Sequence, residues 1–112
     1  MEQQVLVAQF YAAYETAEIA VDKAIKALGC KDHLSEVIKL LESSRDDLTV
    51  CVEPLVNFIH QAHAQENKKV QDTLSILLAR TYDAVCKLDL LLTLLRNILG
   101  HADTVNAPGG AS

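Results

Sequence analysis

His60 and His63 stand three residues apart, with Glu53 and Glu66 a turn or two away on either side. On one helix face, imidazole and carboxylate side chains of this kind can hold zinc or another divalent ion. The spacing is not that of a His-Glu-x-x-His site, and further ligands would have to come from another helix. Solvated histidines near a helix C-terminus, where the dipole favours their charge, account for the pair without metal. No metal site and no cofactor is expected.

Thiol chemistry is the second option. Cys51 falls within an apolar stripe, where a thiol acts as a small hydrophobe. Cys86 sits near a polar face between Tyr82 and Asp89, with Lys87 as the one neighbouring cation that would lower its pKa. Cys30 follows a helix end, which raises a thiol pKa. A thiol or metal sensor using Cys86 or the His60/His63 pair is the third-ranked reading. The second-ranked reading is an oligomeric protein that sequesters an anionic, nucleotide-like small molecule. Tyr11 would stack on it and Lys26 would supply charge, between subunits.

Catalysis has little to stand on. The sequence contains no phosphate-binding glycine loop, Gly-x-Ser-x-Gly, metalloprotease motif or calcium loop. Expected inward positions carry Leu, Val, Ala and Thr, with no acid clearly among them. The chain reads as a non-enzyme.

The elements that would position these residues are helices. Leu34, Leu41, Leu48, Leu55 and Ala62 recur every seventh residue and hold one helical phase through the polar stretch Glu42 to Asp47. That pattern predicts an all-α, antiparallel up-down-up bundle of three long helices. The first helix spans about 2–28, with Leu6, Val7, Phe10, Tyr14, Val21, Ile25 and Leu28 on one face. A row of alanines (Ala13, Ala17, Ala20, Ala24 and Ala27) lies beside it, suited to a close helix contact. Gly29 is expected to end this helix in a left-handed cap, with Cys30 folding back toward Ile25.

Asp32 is a candidate N-cap for the second helix, 33–65. Two readings compete there. In one, the helix is continuous and kinked near Pro54; in the other, Ser44 caps a new helix and the bundle has four. The unbroken phase favours the kink. Asn67 is expected to cap a third helix over 68–99, which Gly100 ends. Residues 1–100 form the bundle domain, and 101–112, rich in Ala, Gly and polar residues, read as a flexible C-terminal tail.

Composition narrows the setting. Half of the 112 residues are hydrophobic and only 4% aromatic, so the core must be aliphatic. The net charge of −5 is split between an acidic middle and a last helix that is net positive, which suits packed neighbours. There is no basic stripe interleaved with aromatics, and nucleic-acid binding is not expected. An odd number of cysteines without Cys-x-x-Cys argues for a reducing compartment, and the acidic start is unlike a secretory signal. The longest aliphatic run is too short and too interrupted to span a bilayer. The chain is expected to be soluble and cytoplasmic.

That run is also the strongest functional signal. From Leu88 to Leu99, eight of twelve residues are large aliphatics, covering an arc of roughly 200° where a surface helix shows about 100°. Two neighbours in a three-helix bundle cannot hide all of it. The leading reading is a protein–protein interaction, adaptor or self-assembly module. Leu90, Leu94 and Leu99 would supply apolar contact, with Arg96 and Lys87 orienting a protein partner or a second copy from the rim.

Overall fold

The computed structural model describes residues 2–29 and 33–106, and side chains as far as residue 100. It contains α1 (Gln3–Ala27), α2 (Leu34–Val50), α3 (Val52–Ala64) and α4 (Lys68–Asn106), and no strand among the described residues. The all-α bundle is as expected. α2 and α3 form one rod, so the structure has three helices, one of them bent by 22°. The molecule is a spindle of 64 × 25 × 19 Å. Its long axis follows from α4, whose 39 residues span about 58 Å at the helical rise.

The kinked reading of the middle helix holds. Cys51 keeps right-handed helical angles, and its N–H donates to the Leu48 carbonyl at 3.0 Å. Pro54 has no N–H to offer the Val50 carbonyl, so the ladder tightens and bends there without losing phase. Leu34, Leu41, Leu48, Leu55 and Ala62 are all buried across the bend. Ser44 is not a cap; it lies buried in mid-helix, and its hydroxyl has no hydrogen-bond partner. An unmet buried hydroxyl is costly, so Ser44→Ala is expected to stabilise the protein by about 1–2 kcal/mol in urea melts. A loss of stability would show that the hydroxyl has found a partner.

The buried face of α1 differs from the expected one. Leu6, Phe10, Ala13, Ala17, Ala20, Ala24 and Ala27 are buried, while Ile25 and Leu28 are exposed and Val21 is half-buried. Intervals of four and three residues keep the first set on one seam, and the alanines let α2 approach closely. Ile25 lies about 100° around the helix from Ala24 and is carried off that seam.

Helix ends correct two expectations. Leu28, the residue that ends α1, has right-handed helical angles, and Gly29 shows no left-handed angle. The Asp32 cap and the Cys30 contact lie outside the described residues. The left-handed residue is Glu66 (φ 57°), after α3. There the Asn67 N–H donates to the Ala62 carbonyl at 2.8 Å and the Glu66 N–H to the His63 carbonyl at 3.0 Å, closing a Schellman turn. Asn67 Oδ1 then accepts from the Val70 N–H at 3.3 Å, capping α4 as expected. So tight a reversal makes α3 and α4 antiparallel neighbours. α4 does not stop at Gly100 but continues to Asn106; the rest of the expected tail lies outside the described residues.

The core falls into two clusters along the spindle. One joins the alanines of α1 to Leu34, Leu41 and Leu48 of α2 and Leu88, Leu92 and Leu95 of α4. The other joins Leu6 and Phe10 to Cys51, Leu55, Leu74 and Leu77. α2 packs extensively on both α1 and α4, whereas α1 meets α4 only thinly. One side of α4 is therefore left uncovered.

Candidate functional site

Position on α4 sorts the leucine run. Leu88, Leu92 and Leu95 face the α1–α2 seam and are buried, and Leu91, Ile98 and Leu99 are half-buried against the same cluster. Leu90 and Leu94, one turn apart, face outward with 72% and 45% of their surface exposed. Lys87, a turn before Leu90, is exposed on the same outward side.

The other two expected partner contacts lie elsewhere. Leu99 packs against the core rather than standing free. Arg96 turns toward α2, where its Nη2 reaches Glu42 Oε2 at 3.5 Å. Across the same α2–α4 seam, Arg45 Nη1 meets Asp89 Oδ1 at 3.3 Å. The Arg96–Glu42 pair has the sense expected of an acidic middle and a net-positive last helix, the Arg45–Asp89 pair the reverse, and each is worth only a few tenths to about 1 kcal/mol.

The outward line extends toward the start of α4. Ile76, 55% exposed, together with Arg80 and Asp83, continues the row of Lys87, Leu90 and Leu94. These three residues were not singled out from sequence. Their signal was a second four-three spacing offset from the core stripe, masked by the adjacent core leucines Leu74, Leu77 and Leu78. Between α1 and α4, Asp83 and Lys87 share with Glu18 the rim of a shallow groove floored by Tyr14, Ala84 and Leu88. Its cavity of about 160 Å³ is smaller than the roughly 300 Å³ at which small-molecule sites begin.

Tyr11 and Lys26 are not brought together within the chain. They lie about 22 Å apart along α1 at the helical rise. The Tyr11 ring packs edge-on against Phe10 at 5.3 Å, and Lys26 Nζ pairs with Asp22 Oδ2 at 3.0 Å. His60, His63, Glu53 and Glu66 are all exposed. Among the described residues no group of three or more His, Cys, Asp or Glu side chains is placed to hold a metal ion.

Cys51 is buried, with Sγ 3.6 Å from the Asp47 carbonyl, and Cys86 is exposed; both are free thiols. Burial, reinforced by the Asp47 charge, pushes the Cys51 thiol above its ordinary value. A raised folded-state pKa favours the neutral thiol. Its contribution to stability is complete below the ordinary thiol range and is lost as pH rises through the raised value. Cys51 is thus an inert core residue at neutral pH.

No protein-family model, curated protein or solved structure matches the chain. Its functional reading therefore rests on its own surface.

Proposed function

We propose that this chain is a non-enzymatic helical bundle that binds another protein, or a second copy of itself, through the outward face of α4. One observation carries the proposal. Leu90 and Leu94 remain exposed side by side on a helix whose inner face already fills the core, and Ile76 lies on the same line. Burying a leucine fully is worth about 1.5–3 kcal/mol, so two leucines and an isoleucine per chain are a substantial driving force for docking a helix. Lys87, Asp83 and Arg80 border them and would set the orientation of the partner. The partner is a protein rather than a nucleic acid, since the chain is acidic overall. No helix among the described residues is long and apolar enough to cross a membrane, and the free thiols at Cys51 and Cys86 support a reducing, cytoplasmic setting.

The test is the double variant Leu90→Asp plus Leu94→Asp, followed by sedimentation and circular dichroism. Association is expected to disappear with helicity unchanged, because both side chains point away from the core. If the variant unfolds, those leucines belong to the protein's own interior and the proposal falls.

A further inference from the structure

We infer that the partner is a second copy of this chain, docked antiparallel along α4 with its two-fold axis level with residue 85. This inference rests on the proposed use of the outward face. The face presents Ile76, Arg80, Asp83, Lys87, Leu90 and Leu94, separated by intervals of four, three, four, three and four residues. Such a series reads the same in both directions, so an antiparallel copy meets it in register over about 27 Å of helix.

The chemistry is self-complementary in that register, which pairs every one of the six residues. Ile76 faces the partner's Leu94, and the aliphatic stem of Arg80 lies against the partner's Leu90. Asp83 faces the partner's Lys87, and the symmetry repeats each contact. Among the described residues, neither Asp83 nor Lys87 makes an ion pair within its own chain, although they are one turn apart. A parallel dimer would set Asp83 on Asp83 and Lys87 on Lys87. An antiparallel dimer with its axis level with Leu92 would join Leu90 to Leu94 but leave Lys87 facing Asn97.

Charge reversal tests the register on the full chain by sedimentation. Asp83→Lys and Lys87→Asp should each weaken the dimer about 10-fold, since two attractive pairs become repulsive in each case. An equimolar mixture of the two variants, and the Asp83→Lys/Lys87→Asp double variant, should both regain wild-type association. A second readout is chemical. The proposed axis sets Cys86 and the partner's Cys86 about 3 Å apart along the axis, against about 18 Å for the Leu92-level register. A short bismaleimide should therefore link them, as read by peptide mass mapping. If the single reversals associate like wild type while Leu90→Asp plus Leu94→Asp does not, the outward face is an interface but this register is wrong. A wild-type chain that stays monomeric at all concentrations overturns the inference outright and leaves the face to a foreign partner.

Discussion

Phe10→Ala is expected to cost about 3–5 kcal/mol, a fifth or more of the roughly 5–15 kcal/mol stability of a typical domain. Phe10 is completely buried, and among the described residues it is the largest side chain that is. It plugs the cluster formed by Leu6, Cys51, Leu55, Leu74 and Leu77, which joins α1 to α3 and the start of α4. The ring also packs on Tyr14 at 5.5 Å and Tyr11 at 5.3 Å, so its removal strips the tyrosines of their support. Cavity collapse cannot compensate easily. Helices are stiff, and α1 is held at the other end of the spindle by its alanine seam. Urea unfolding monitored by circular dichroism should show a lower midpoint with an unchanged slope. A loss below 1 kcal/mol would mean that the cluster refills itself and that Phe10 is not its keystone. Cys51 shares this cluster and is completely buried in it.

The middle rod was the most legible part of the fold. The seven-residue recurrence from Leu34 to Ala62 survives the Pro54 bend because a proline removes one hydrogen bond without inserting or deleting a residue. Asn67 was legible as a cap for the same local reason: a side-chain oxygen three residues before an N–H that has no helical acceptor. Helix ends governed by tertiary placement were not. Glu66 takes the left-handed angle that sequence reasoning assigns to glycine, because the reversal into α4 fixes the backbone there. Gly100 does not stop α4, since a single glycine costs a helix only about 1 kcal/mol. The candidate site was half legible. An aliphatic arc too wide to bury pointed to Leu90 and Leu94, which do face outward. Which side of α4 its neighbours would cover was not encoded locally, so Leu99 and Arg96 could not be told apart from them. The packing of the bundle draws Leu99 to the core, and α2 draws Arg96 to Glu42.

The same ambiguity governed α1, and it yields the second large effect. Hydropathy alone ranks Ile25 and Leu28 above alanine for burial, yet the structure buries Ala20 and Ala24 completely and leaves Ile25 exposed. Close approach to α2 explains the choice. A seam of single methyl groups lets two helices run near the short end of the usual 8–10 Å separation, which multiplies backbone contacts along their whole length. Introducing Ala20→Leu and Ala24→Leu should therefore destabilise by about 1–3 kcal/mol each, in spite of leucine's greater hydrophobicity. The two sites are one turn apart, so the double variant should depart from additivity, because the first leucine already pries α1 from α2. Ala8→Leu, on the exposed side of the same helix, is the matched control and should change stability by no more than about 0.5 kcal/mol. Thermal unfolding of the three single variants and the double variant decides the matter. If Ala20→Leu and Ala24→Leu behave like the control, α1 has room to roll and present Ile25 inward. The thin α1–α4 contact would then close, and the groove beside Lys87 would fill from within the chain. If they are costly, α1 is locked in its present rotation, and the outward face of α4 keeps its exposure for a partner.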